Sequence, residues 1–408
     1  MKPLGPVPAG FAAIDGELAI AGRKASELVA EAGGTPLFVY SADLIRQRVA
    51  RLRAALPDRL ALHYAVKANP FGPLLSLMST LVDGFDIASG GELGLVTAAG
   101  IDARAISFAG PGKRIAELES AVSQGVTINC ESETEAARAL AIGERLGIAP
   151  RIAIRVNPDF DLKGSGMKMG GGAKQFGLDA DRVPALARHV IAAGAAWRGF
   201  HIFAGSQALD AAAIADTQAQ TLALAARLTD QIGAPLPHCN LGGGFGIPYF
   251  PGDIPLDLEA VGAALSEQFE RLPAAIADTA FCVELGRYLV GESGVYLTEI
   301  IDRKISHGEV FLIVDGGLHH QLAASGNFGT VVRRNYPVAI ASRFDAELAE
   351  EASVVGCLCT PLDRLADKGG FPVAEPGDLV AVFCAGAYGA TASPAAFLGQ
   401  GPALEMLV

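Results

Sequence analysis

Cysteine is scarce in this 408-residue chain, and Cys130, Cys239, Cys282, Cys357, Cys359 and Cys384 follow no paired spacing. Several sit inside apolar runs, a pattern of reduced thiols that excludes a disulfide-stapled fold and points to the cytoplasm. Cys357-Leu-Cys359 has no matching Cys/His pair nearby, so no metal site is expected. No apolar run is long enough to span a bilayer, and the first residues, MKPLGPVPAGFAAIDG, lack the apolar core of a secretory leader, so neither membrane insertion nor export is expected. Basic residues form no block: 32 Lys and Arg face 44 Asp and Glu, a formal net charge of -12. That balance argues against nucleic acid or an anionic membrane as the main partner, while leaving room for a local basic pocket. Low-complexity tracts and internal repeats are also absent.

What is present is a well-packed globular composition, 50% hydrophobic, in a chain long enough for two domains. From residue 62 onward, apolar strand-like runs alternate with helical patterns. The runs are LHYAVKAN, GFDIAS, AISFAG, VTINCES, RIAIRVNP, GFHIFAGS, CNLGGGF and FCVELGRY; residues 133–147 and 210–228 are typical of the helices between them. Eight alternations read as an α/β fold, a TIM-like (β/α)8 barrel over residues 41–290. The competing doubly wound sheet fits less well, because the Gly-rich segment comes late and lacks dinucleotide spacing. Residues 291–408 are β-rich and read as a C-terminal all-β domain, with residues 1–40 expected to pack with it.

Catalytic groups in such barrels leave the C-terminal ends of strands. Lys67 ends the first, ahead of Asn69-Pro70; a desolvated lysine amine suits Schiff-base chemistry, although a strand-end lysine can also simply reach water. LGGGFGIPY (241–249) ends the seventh, where bare backbone N–H groups can approach a phosphate, though tight turns also need glycine. VELGRYLVGE (283–292) ends the eighth and presents Glu284 and Arg287, which by themselves fit a barrel-closing salt bridge. Together the segments ask for one ligand carrying an aldehyde, a phosphate and a basic ring nitrogen, which describes pyridoxal 5'-phosphate.

The ordered set HYAVKAN, GSQ, GGGFG, ELGR and GAYG resembles the motifs of the alanine-racemase-type PLP decarboxylases, which include diaminopimelate and ornithine decarboxylases, over nearly the whole chain. The resemblance implies a PLP barrel followed by a β-domain, working as a homodimer with shared active sites. It makes Lys67 the Schiff-base lysine and Cys359 the proton donor, supplied across the dimer interface. Gly243 and Gly244 would cradle the phosphate, Glu284 face the pyridine nitrogen, and Tyr388 close over the phosphate near the substrate. Asp86, Ser206 and Gly286 complete the cofactor set. Arg287 would lie near phosphate and substrate carboxylate, and Asp363 ends the cysteine motif.

Departures from the family pattern bear on specificity. Where a histidine usually stacks on the cofactor ring, GFHIFAGSQ places Phe203, with His201 two residues earlier on the same strand face. Phe203 is expected to stack and His201 to lie deeper; a hydrogen-bonded core histidine is the rival for His201. After the cysteine, the family's acidic residue for a distal ammonium is replaced by Thr360, so the substrate's distal end is not required to be a free amine. The substrate motif is altered to VRRNYPV, offering Arg333, Arg334 and Tyr336 to a carboxylate or phosphate, with a strand edge carrying solvated charges as the equal alternative. The Gly- and Lys-rich stretch 161–177 reads as a mobile loop over the barrel mouth. These departures are similar to a subgroup associated with exosortase systems and to decarboxylases of carrier-bound amino acids. The expected activity is PLP-dependent removal of an amino acid's α-carboxylate, diaminopimelate-decarboxylase-like, with a modified or carrier-bound substrate, or an amino-acid racemase on the same fold, as alternatives.

Overall fold

The computed structural model describes residues 1–326 and 334–408. The chain divides into two compact units: 49–247 with 255–286, and 1–48 with 248–254 and 287–408.

The first unit is a closed parallel barrel. Its strands are β1 (Leu60–Ala65), β2 (Gly84–Ile87), β3 (Ile106–Phe108), β4 (Thr127–Cys130), β5 (Arg151–Asn157), β6 (Ala196–Ile202), β7 (His238–Gly243) and β8 (Ala280–Leu285). Each pairs with the next in parallel, and β8 returns to β1 through the register Phe281 opposite Leu60 to Leu285 opposite Tyr64. All eight apolar runs of the sequence are therefore barrel strands. Buried β-branched and aromatic side chains on both faces suit strands covered by helices.

The helices start where short polar side chains cap them. Ser89 Oγ accepts from Glu92 N at 3.1 Å, Ser132 Oγ from Glu135 N at 3.1 Å, and Asp257 Oδ1 from Ala260 N at 3.0 Å. Left-handed Gly147 and Gly233 end the helices Glu133–Leu146 and Ala211–Ile232. Gly262, in the middle of the helix Leu258–Glu270, is explained by packing: a Cβ there would meet the Ala55 carbonyl oxygen at 1.8 Å.

In the second unit a mixed sheet runs in the order Val338–Ile340, Leu379–Val382, Gly294–Ser306, Glu309–Val314, Glu350–Val355 and Arg364–Phe371. The strand Leu37–Tyr40 pairs antiparallel with Gly294–Ser306 and parallel with Leu404–Leu407. One face packs on a core that includes Leu18, Ile20, Leu37, Val39, Val295, Leu297 and Phe383. No helix among the described residues is long and apolar enough to cross a membrane.

Candidate active site

At the C-terminal end of β1 the chain tightens into a one-turn helix, Val66–Ala68, and Lys67 is its middle residue. Tyr64 Oη donates to Asn69 O at 2.8 Å and Phe71 N donates to Asn69 Oδ1 at 3.0 Å, so both ends of the turn are tied down. Gly286 lets β8 come close: a Cβ there would sit 2.7 Å from Ala68 Cβ.

The Lys67 amine lies 3.4 Å from Glu284 Oε1 at the end of β8. Glu284 also accepts from His201 Nε2 at 2.8 Å, and this second pair is almost fully buried. Burial pushes the Glu284 carboxyl up, but Lys67, the bond from His201 and the Arg155 guanidinium outweigh it and hold the group well below the usual carboxylate range. His201 Nδ1 is buried without a hydrogen-bond partner among the described residues. Phe203, two residues on, sets its ring 5.4 Å from Lys67 Nζ. The two residues thus divide by depth, a buried histidine on the carboxylate and, just past the end of β6 at Ile202, an aromatic ring beside the lysine.

Asp86, at the end of β2, pairs through Oδ2 with His63 Nδ1 at 3.1 Å, while its Oδ1 is buried and unpartnered among the described residues. The glycines after β7 exist because the backbone is crowded. A Cβ on Gly243 would meet Glu284 O at 2.0 Å, and one on Gly244 would meet Gly205 O at 2.5 Å in a left-handed conformation, φ +85°. Ser206 belongs to the two-residue strand Gly205–Ser206, which pairs with Met167–Lys168. The 161–177 stretch is therefore hydrogen-bonded to the end of β6, with Met169 and Gly170 also donating to Ala204 O at 3.1 Å each.

The chain passes into the second unit between Gly286 and Arg287. There Arg287 Nη1 donates to Tyr249 Oη at 2.7 Å, and the guanidinium lies over the Tyr388 ring at 4.7 Å. Tyr388 itself is left-handed, φ +57°, an uncommon backbone for a bulky residue. The Tyr336 ring packs tilted at 34° against Tyr249, 4.7 Å between centroids, and the Arg334 guanidinium lies 3.8 Å from the centre of the Phe250 ring. Arg333 lies outside the described residues. The Cys359-Thr360 turn is shaped by Asp363, whose two oxygens accept from Leu318 N at 2.7 Å and Leu358 N at 2.9 Å. Cys359 is exposed, and all six cysteines are free thiols.

Three residues were not foreseen. Tyr249 follows the glycine segment directly, and its role as a partner of Arg287 depends on tertiary packing with no local signature. Arg155 and Glu131 form a buried ion pair at 3.0 Å inside the barrel, yet read in sequence as ordinary strand polar positions.

Comparison with known proteins places the chain in a family. Residues 42–291 match the family described as pyridoxal-dependent decarboxylase, pyridoxal binding domain. An L-glutamyl-[BtrI acyl-carrier protein] decarboxylase of Niallia circulans is 38% identical over 91% of this chain and 88% of its own length. A diaminopimelate decarboxylase of Aquifex aeolicus is 35% identical over 92% of this chain and 87% of its own. The structure of Helicobacter pylori diaminopimelate decarboxylase complexed with L-lysine superposes with a TM-score of 0.82 at 27% identity, covering 94% of each chain. The chain belongs to the pyridoxal-dependent decarboxylases and is a PLP-dependent amino-acid decarboxylase of the alanine-racemase-type fold.

Proposed function

We propose that this enzyme removes the α-carboxylate from an amino acid whose distal end carries no free ammonium, as in a residue joined through its side-chain carboxyl to a carrier protein. The observation that carries this reading is the Cys359-Thr360 turn. Thr360 is neutral, and the nearby carboxylate of Asp363 is already committed to the amides of Leu318 and Leu358. A distal ammonium arriving there would lack the charged partner that a desolvated cation needs. The 38% identity to a decarboxylase named for a carrier-bound glutamyl substrate supports the same reading.

The residues present fit pyridoxal phosphate. Side chains are excluded at Gly243 and Gly244, leaving bare backbone for a phosphate, and the buried Asp86 Oδ1 and His201 Nδ1 are polar atoms without partners among the described residues. When bound, the cofactor supplies an electron sink for the pair left behind as CO2 departs. Lys67 is assigned to hold the cofactor and to yield its place to the substrate amine. Glu284, ionised and braced by His201, is assigned to keep a proton on the ring nitrogen. Phe203 is assigned to the ring face, where it contributes apolar area and moves no proton. Arg287 is assigned to an anionic group, steadied by Tyr249 and Tyr388. Cys359 is assigned to deliver a proton to Cα from its protonated thiol, with Asp363 fixing the shape of its turn. Ser206, Gly286, Tyr336 and Thr360 complete the assigned surroundings. We read the enzyme as a homodimer, the exposed Cys359 acting on the partner's barrel, and as cytoplasmic, in keeping with its free thiols.

The test measures CO2 release by the PLP-loaded protein from meso-diaminopimelate, lysine, ornithine, arginine and glutamate, and from a glutamyl thioester of an acyl-carrier protein. Turnover of the thioester with silence on the free diamines is expected. Efficient turnover of meso-diaminopimelate would overturn the substrate assignment while leaving the decarboxylase chemistry in place.

A further inference from the structure

The strands of the barrel are parallel, so Lys67 and Glu284 mark one mouth and the strand starts mark the other. At the starts lies a cavity of about 130 Å³. Its walls include Arg104 just before β3, Thr127 at the head of β4, Arg151 at the head of β5, Arg198 in β6 and His238 at the head of β7.

Charge in this cavity is unbalanced. Three guanidiniums line it against one carboxylate, Asp83, and Asp83 is already engaged by Arg53 Nη2 at 2.7 Å and by Leu62 N at 2.7 Å. Among the described residues Arg151 donates only to neutral oxygens, Thr127 Oγ1 at 3.3 Å and Arg104 O at 3.2 Å. Arg198 Nε is buried with no hydrogen-bond partner among the described residues. Burial, followed by the Arg198 and Arg104 charges, makes Arg151 easier to deprotonate than an ordinary arginine. Like charges held together at a half-buried wall are costly, and a bound anion is the simplest group to offset them.

A metal ion is the competing occupant, because His63, His238 and Cys282 bring their ligand atoms within 4.8 Å of one another. The surrounding field opposes it. Burial, with His63 and Arg198 as the next causes, pushes the His238 imidazole down to about 3. His63 goes the other way: burial would lower it, but Cys282 and Asp86 raise it well above the usual imidazole range, so the trio presents a protonated ring where a metal needs a free lone pair, and the guanidiniums of the wall repel a cation.

We propose that this cavity binds a small oxyanion carrying two or more negative charges, clamped by Arg104, Arg151 and Arg198, at the end of the barrel away from Lys67. Fork-shaped guanidiniums match the geometry of phosphate and of carboxylate, with the Thr127 hydroxyl as an additional polar group on the wall. The three arginines have no part in the catalytic assignments above; the wall meets those assignments through His63, which pairs with Asp86.

A built-in reporter is available. Trp197, the one tryptophan of the chain, directly precedes Arg198, and its ring meets that of Phe200, a residue of the cavity wall, edge-on at 5.7 Å. The PLP-loaded enzyme, whose own phosphate cradle is then filled, is titrated with inorganic phosphate and separately with citrate, at ionic strength held constant with chloride. Saturable change in Trp197 emission is expected with at least one of them, and the stronger response separates a phosphate site from a carboxylate site. Arg198→Gln should weaken binding roughly tenfold or more, the loss of one hydrogen bond to a charged group. Arg104→Gln, on the exposed side, should weaken it also and cannot fail through a disturbed core. CO2 release should be unchanged in both. No saturation with either anion, equal affinity in Arg104→Gln, or saturation by Zn²⁺ in place of the anions would overturn the proposal.

Discussion

Replacing His201 by leucine tests how the buried carboxylate is held. The wild-type bond from His201 Nε2 to Glu284 Oε2 is 2.8 Å long, and the two side chains are only 2% and 5% exposed. Lys67 is a weaker support, because its side chain is 45% exposed and solvent screens it. Leucine fills much of the imidazole's volume but donates nothing, leaving Glu284 Oε2 without its donor. Hydrogen bonds to charged groups contribute roughly 1.5–3 kcal/mol, so a loss of about 2 kcal/mol is expected at neutral pH. The pH dependence has a definite sign. Glu284 titrates below its unfolded value, so its contribution is fully present above the ordinary glutamate pKa and is lost as pH falls through the folded value. Without His201 the folded value rises, and both stability and turnover fail at higher pH than in the wild type. Urea unfolding of the PLP-loaded protein at pH 7, with a pH profile of CO2 release, reads both effects. A variant with the wild-type unfolding midpoint and an unmoved acid limb would refute the argument that His201 supports Glu284.

Further outcomes follow from the same geometry. Gly243→Ala places a Cβ 2.0 Å from the Glu284 carbonyl oxygen, so β7 must shift; cofactor content after dialysis should fall sharply, while retention at wild-type occupancy would count against a crowded cradle. Asp363→Ala strips two buried amides of their acceptor and should cost about 2 kcal/mol or more, with slower proton delivery at Cα; an unchanged melting temperature would contradict its role as a clasp. Mixing inactive Lys67→Ala with inactive Cys359→Ala should restore partial activity, since a hybrid dimer regains one intact site; two variants that stay silent when mixed would argue against a site shared between copies.

The barrel was legible because each of its eight strands is a short apolar run of the right length, and the helices between them carry their own caps at Ser89, Ser132 and Asp257. Lys67, Glu284 and the glycines after β7 could be singled out because each breaks the pattern of its strand at the end where barrels place their chemistry. Strand alternation put His201 and Phe203 on one face but could not say that His201 would bond Glu284, a partner on a different strand. What escaped was long-range. Nothing near Tyr249 announces that it holds Arg287, and the Arg155–Glu131 pair joins neighbouring strands whose side-chain partners only the closed barrel defines. The arginines at the strand starts are far apart in sequence, at 104, 151 and 198, and become a cluster only when the sheet closes on itself. The reading of 161–177 as a mobile loop did not include its ladder with Gly205–Ser206, because two residue pairs leave no periodicity to detect.

The most direct measurement is the visible absorbance and CO2 release of Lys67→Ala after loading with pyridoxal phosphate, using the thioester or free amino acid on which the wild type is active. The account predicts that the absorbance of lysine-bound cofactor disappears and that CO2 release stops, with the fold intact by circular dichroism. A folded Lys67→Ala enzyme that releases CO2 at the wild-type rate would contradict it.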